Sequence, residues 1–313
     1  MNGVICLGEA LMDFIPLDAE NLTYQKAPGG APANVSVGIA KLGGMAAFVG
    51  KVGDDVLGQF LKETLSGYGV NVDAMVLTEE ARTGVVFVTL EPSGERHFCF
   101  YINPSADRFL KNEELVPGVF SGQKILHFGS ISLISEPAKS ATIHAVELAK
   151  KAGMLVSYDP NLRLGLWDSE EQAKETILET LPYADILKVS EEELEFLTGC
   201  ASLEDGITKL PDIPLILVTF GAEGSIYRFK GEIGRVSAMP SKVVDTTGAG
   251  DAFVSGILYS INESSKTLAE LSVSEIEEML RFASISGGLA TTKKGAMTGL
   301  PTLEEVKKEL GEI

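Results

Sequence analysis

The stretch DTTGAGDAF, residues 245–253, combines the side chains and the bare backbone that phosphate chemistry needs. Two carboxylates, Asp245 and Asp251, flank two threonines and a Gly-Ala-Gly core, and Phe253, Ile257 and Ile261 then repeat at helical spacing. SKVVD reads as a strand, TTGAG as a turn and DAFVSGILYSI as a helix. Gly248, Ala249 and Gly250 therefore fall at a helix N-terminus. There, N–H groups without intrahelical partners and the positive end of the dipole can hold an anion. Asp251 falls in the first turn, where it could take a proton from an alcohol while the glycine loop holds a phosphate. The plainer reading is an acid that caps the helix, and for Asp251 taken alone that reading is the stronger.

A second glycine pair opens GGAPANVSVGIAKLGG, residues 29–44, again ahead of a helix. Asn34, early in that helix, can both donate and accept through its amide, and Asp13 follows the first strand in the loop EALMDF. Such groups at strand ends suit the hydroxyls of a sugar. A local cap for Asn34 and a solvated loop acid for Asp13 are the plain alternatives. Other phosphate motifs fail: there is no GxxxxGK[ST], GAGDAF has Phe253 where a dinucleotide loop needs its last glycine, and HRD and DFG are absent. No HExxH occurs, and His97, His127 and His144 are scattered.

The elements that must position these residues alternate along the chain. GVICLG, AAFVG, KILHFG, MLVSYD, DILKVS and LILVTFG read as buried strands, with PAKSATIHAVELAKKAG and DSEEQAKETILETL as helices between them. This rhythm predicts an α/β fold: a mostly parallel sheet with helices on both faces and a ligand site outside the strands' carboxyl ends. Two segments break it. DFIPLDAENLTYQKAPGG lacks helical period, and TGVVFVTLEPSGERHFCFYI reads as a hairpin turning at Pro92-Ser93-Gly94. Together they would form a small sheet over the strand ends, a lid, with an edge hairpin of the main sheet as the plain alternative. Composition sets the limits. A chain of 313 residues can bury a large core, and a net charge of −18 repels nucleic acid. Cys6, Cys99 and Cys200 lie far apart, which argues against a disulfide framework and for a reducing cytoplasm. No basic leader precedes Lys26 and no apolar run reaches membrane-spanning length, so neither secretion nor a membrane partner is expected.

GGAPANVSVGIAKLGG and DTTGAGDAFVSG, in that order and at that separation, resemble the two signatures of the ribokinase-like (PfkB) carbohydrate kinases. SYDPNLRLGLW, KVSEEELEFLTG and TTKKGAMTGLPTLEEV are similar to the fructokinase branch. The resemblance covers nearly the whole chain. It implies one kinase domain, 1–313, with a ribokinase-like fold whose β lid is formed by about 11–30 and 82–103, and MgATP-dependent phosphorylation of a sugar hydroxyl. It implies Asp251 as catalytic base and Gly248, Ala249 and Gly250 as the anion hole. Asp13, Gly30, Asn34, Phe98, Phe100 and Arg163 would contact the sugar. Lys188, Ser190, Glu193, Thr219, Gly221 and Gly224 would serve the nucleotide, with Glu193 reaching Mg²⁺ through water. A K⁺ ion would be held by Asp245, Thr247, Ala290, Lys293 and Gly295, and two copies would pair through the lid. Ser190 and Ile102 depart from the family's commoner Asn and Arg.

In phosphoryl transfer the acid and the N–H groups would serve opposite partners, base toward the alcohol and donors toward the phosphate. The helix N-terminus is expected to keep Asp251 ionised. Phe98 and Phe100 lie on one face of a strand, which suits either sugar contact or lid packing. D-fructose is the expected substrate. A 2-keto-3-deoxygluconate kinase is the nearest alternative, a sugar-binding regulator without catalysis another, and a nucleotide-binding oxidoreductase is disfavoured by the failed fingerprint.

Overall fold

A computed structural model describes residues 1–91 and 96–312; the proposed turn Pro92-Ser93-Gly94 lies outside the described residues. Among the described residues thirteen strands run, in chain order, β1 Val4–Leu7, β2 Leu11–Pro16, β3 Tyr24–Gly29, β4 Ala46–Gly53, β5 Met75–Thr78, β6 Val85–Leu90 and β7 Arg96–Tyr101. They continue as β8 Ile125–Phe128, β9 Leu155–Tyr158, β10 Ile186–Ser190, β11 Leu215–Thr219, β12 Ser225–Phe229 and β13 Glu232–Val236. Nine of them form one sheet in the order β13-β12-β11-β10-β9-β8-β1-β4-β5, parallel from β5 to β11, with β12 and β13 added antiparallel at one edge.

The strands are apolar on both faces because both are covered. Ile5, Leu7, Leu126, Phe128, Val156, Leu187 and Ile216 pack under the helices Ala138–Lys151, Glu170–Thr180 and Glu191–Thr198. Val4, Cys6, Ile125, Ile186 and Leu215 pack on the other side with the helices Ala31–Lys41, Ala249–Glu263 and Val273–Ala290. The first two helices of this second layer touch directly. Ser255 Oγ donates to the Val35 carbonyl at 3.2 Å and to the Asp251 carbonyl at 2.6 Å. The two glycine-led helices therefore start side by side, which brings their N-termini to one place.

The remaining four strands make a separate sheet, β3-β2-β6-β7. The hairpin is thus not an edge of the main sheet. Asp13 belongs to β2, opposite Ala27 of β3 and Val86 of β6, rather than to a loop after β1. Ile102 also belongs to this small sheet's packing. It is buried with Leu11 and Val86, and its side chain forms core rather than cavity wall. SKVVD is not a strand. Val243 and Val244 are 59% and 51% exposed, so nothing rewards pleated burial there, and the segment is held instead by Val244 and Asp245 N–H groups donating to the Thr291 carbonyl at 2.8 and 3.1 Å.

Candidate active site

Gly248 starts the site. It has φ +80°, a left-handed conformation that glycine adopts without penalty, and it ends the loop and begins the helix Ala249–Glu263. No side chain caps that helix; the Ala249 N–H donates to the Thr246 carbonyl at 3.2 Å, and the Gly250 and Asp251 N–H groups that follow it in the first turn have no side-chain cap. Asp251 sits in this first turn and is buried. Its Oδ2 accepts from Asn34 Nδ2 at 2.8 Å, across from the other glycine-led helix. The Asn34 Oδ1 is buried without a hydrogen-bond partner, an acceptor left over on the cavity wall.

A cavity of about 590 Å³ joins these groups to Asp13, Gly30, Phe98, Phe100, Arg163 and Lys188, and also to Glu9 and Asn161. It lies between the carboxyl ends of the main strands and the small sheet. The two phenylalanine rings stack at 6.5 Å and close the cavity from the small-sheet side. Arg163, just after β9, is exposed and folds its guanidinium back to donate to the Leu162 carbonyl at 3.0 Å. A neighbouring cavity of about 490 Å³ continues past Arg163 and Lys188 to Ser190 and Glu193.

Burial sets the electrostatics. It pushes the Asp251 carboxyl up to about 6, an effect the Asn34 hydrogen bond, Lys188 and Arg163 oppose and Asp159 reinforces. The helix N-terminus thus does not keep the acid in its ordinary range: desolvation outweighs it, although a group at about 6 is still mostly ionised at neutral pH. Asp13 rises to about 7, by burial and by the charge of Asp251. Lys188 Nζ pairs with Asp159 Oδ2 at 3.2 Å, and both are buried. Burial alone would lower the Lys188 pKa, but Asp159 and Glu193 outweigh it and hold the ammonium in its charged form. The ammonium lies close to Gly250, so a fixed positive charge stands beside the open helix N-terminus.

Two carboxylates strap the loop after β9. Asp159 Oδ1 accepts from the Asn161 N–H at 3.1 Å, and Glu193 Oε1 accepts from the Leu162 N–H at 2.6 Å. Glu193 Oε2 also accepts from the Ser190 N–H at 2.7 Å while Ser190 Oγ accepts from the Glu193 N–H, a reciprocal cap on the helix Glu191–Thr198. Ser190 pairs in register with Thr219, at the ends of β10 and β11. Gly221 and Gly224 follow in the turn to β12, outside both cavities.

Asp245 Oδ1 accepts from the Thr247 N–H at 3.0 Å and from its hydroxyl at 2.7 Å, and Oδ2 accepts from the Gly295 N–H at 3.1 Å. The Ala290 and Lys293 carbonyls converge nearby, 3.1 and 3.7 Å from where a side chain on Gly299 would begin. Among the described residues no three His, Cys, Asp or Glu side chains come together as a metal set. Sequence reasoning missed Glu9, Asp159 and Asn161. Each lies inside a motif read above, but Glu9 and Asp159 take their roles from Ala31 and Lys188, 22 and 29 residues away, and Asn161 takes its place on the cavity wall from the loop after β9.

The family model for pfkB family carbohydrate kinases matches residues 1–303. The chain belongs to that family. The kinase is 49% identical to a protein named probable fructokinase-6, chloroplastic, from Arabidopsis thaliana, over 98% of this chain and 82% of that one. Its fold is that of a fructokinase from Vibrio cholerae O395 solved with fructose, ADP and calcium ion, with TM-score 0.90 and 41% identity over 98% of each chain. A double mutant of the Vibrio enzyme, solved with fructose, ADP and potassium ion, gives TM-score 0.90 at 40% identity, again over 98% of each chain. This chain is therefore a phosphotransferase acting on a sugar hydroxyl, with the ribokinase-like fold. Among the described residues no helix is long and apolar enough to cross a membrane.

Proposed function

We propose that this kinase transfers the γ-phosphoryl group of MgATP to O6 of D-fructose. The observation that carries the chemistry is a buried carboxylate, Asp251, hydrogen-bonded to Asn34 at 2.8 Å in the first turn of an uncapped helix. The sugar hydroxyl would lie against Asp251, which takes its proton as the bond to phosphorus forms. The N–H groups at Gly248, Ala249 and Gly250 and the Lys188 ammonium would offset charge on the transferring phosphate. Asp13, Gly30, Asn34 and Arg163 would orient the sugar, and the small sheet would act as a lid whose Phe98 and Phe100 exclude water. Across the ends of β10 and β11, Ser190, Thr219, Gly221 and Gly224 would receive the nucleotide. Mg²⁺ supplies charge compensation when it arrives with ATP, and Glu193, already committed to backbone N–H groups, would reach it through water. A monovalent cation would sit among Asp245, Thr247 and the carbonyls of Ala290, Lys293 and Gly295. The convergence of the Ala290 and Lys293 carbonyls near Gly299 supports this.

Fructose is favoured by the full-length similarity to fructokinases. The wall itself gives a sugar acid no unopposed cation, because Asp13 and Asp251 line the same cavity as Arg163 and Lys188. Ile102 does not enter this argument, being core. Phe14, Tyr24, Phe87 and Tyr101 cluster on the small sheet, which supports pairing of two copies there, and three free cysteines support a cytoplasmic location. The test of substrate is kcat/KM for fructose against 2-keto-3-deoxygluconate, ribose, glucose and tagatose, with the product position read by NMR. Fructose should lead, since a site built for specific hydroxyls rejects analogues lacking them by up to roughly 10⁴-fold. If another sugar leads by about tenfold or more, fructose is not the substrate.

A further inference from the structure

The helix Ala31–Lys41 has no cap of its own: no side chain of its N-terminal turn accepts from its free N–H groups, and no acid lies in that turn. The cap comes from elsewhere. Glu9, in the loop after β1, is 3% exposed, and its Oε1 accepts from the Ala31 N–H at 3.0 Å. Gly30 fits this contact closely, because a side chain there would begin 2.4 Å from the Glu9 carbonyl oxygen. Three residues into the helix, Asn34 holds Asp251. The second Glu9 oxygen, Oε2, is buried with no hydrogen-bond partner, and among the described residues no ion pair reaches either oxygen.

We propose that Glu9 is a positioning residue for phosphoryl transfer, acting through the helix it caps and through Asn34 upon Asp251, and that it does so as the uncharged acid. The proposal rests on the kinase reading of the site. The charged groups that face Glu9 are carboxylates: Asp107 from the short helical turn Ala106–Phe109, and Asp251 from the helix Ala249–Glu263. Burial, the larger effect, and these two charges push Glu9 up to about 8. A neutral carboxyl still accepts through its carbonyl oxygen, so the cap survives protonation. It also spares the cavity a third negative charge beside the base.

Replacement by an amide keeps the shape and the acceptor and removes the proton. In Glu9→Gln, kcat at neutral pH should stay within about threefold of wild type, while Glu9→Ala, which removes the cap, should lower kcat about tenfold. The thermal stability of the three proteins is measured alongside, with no substrate present. A carboxyl whose pKa is raised in the folded state is uncharged in both states at acid pH, where no penalty arises. As pH rises toward the folded value, the unfolded chain ionises first and wild-type stability is lost. Glu9→Gln carries no such loss, so its advantage in Tm should widen from about pH 5 to about pH 8. Infrared difference spectra should show a protonated-carboxyl stretch at neutral pH that Glu9→Gln removes. The proposal is overturned if Glu9→Gln loses as much kcat as Glu9→Ala, if the Tm gap stays constant with pH, or if the stretch is unchanged. Failure of the kinase reading appears differently, as absence of sugar phosphorylation by the wild-type protein.

Discussion

Removing the Asn34 amide should move the acid limb of the pH–rate profile. Asn34 Nδ2 donates to Asp251 Oδ2 at 2.8 Å, with both side chains buried, and this bond opposes the burial that raises Asp251 to about 6. A hydrogen bond to an ionised group is worth about 1.5–3 kcal/mol, and about 1.4 kcal/mol corresponds to one pH unit. Asn34→Ala should therefore shift the limb upward by roughly one unit or more, to about 7. For a one-unit shift, the ionised fraction at pH about 7 falls from about nine-tenths to about a half, and at pH about 6 from a half to about a tenth. The variant's deficit in kcat should thus grow from roughly twofold to roughly fivefold between those two conditions, beyond any pH-independent loss. ADP release at saturating sugar and ATP, from about pH 5 to 9, reads this directly. Loss of Asn34 Oδ1, proposed to orient the sugar, would scale the whole curve, whereas the shift changes its shape. A limb that stays in place or moves to lower pH would refute the link between Asn34 and the charge of Asp251.

Asp251→Asn should keep the fold and the binding of MgATP while kcat falls about a hundredfold or more, because the amide cannot take the proton. Near-normal turnover in a folded variant would remove Asp251 from the base role. Turnover in K⁺ should exceed turnover in a bulky organic cation at equal ionic strength, by ordering the loop at Asp245 and Thr247; equal rates would end the cation proposal.

The parallel strands β1, β4, β8, β9, β10 and β11 were legible because each is a short apolar run closed by a polar or glycine residue, whereas β5 was not read as a strand; the two glycine turns were legible because they break helical period at its start. SKVVD carried the same local pattern without the burial that makes a strand; the partner that holds it, Thr291, lies about 50 residues away. The helix dipole at Asp251 could be read from its neighbours, but its burial could not, and burial decides its charge. Glu9 and Asp159 are equally ordinary in sequence. Their roles come from Ala31 and Lys188, 22 and 29 residues distant, which only the folded chain brings within reach. Ile102 stands where the family more often has Arg, and the sequence alone did not show that its environment is the packing between β2 and β6.

The acidic wall of the cavity has a consequence for release of product. A sugar enters beside Glu9, Asp13 and Asp251 uncharged and, on the proposed reaction, leaves as a phosphate ester. Immediately after transfer Asp251 holds the alcohol's proton and is neutral, so the new ester is not yet opposed. With the carboxyl titrating at about 6, that proton departs readily near neutral pH and the charge returns within the same cavity as the phosphate. Recharging the base would then do two things at once, resetting it for the next alcohol and driving out the ester it has just made.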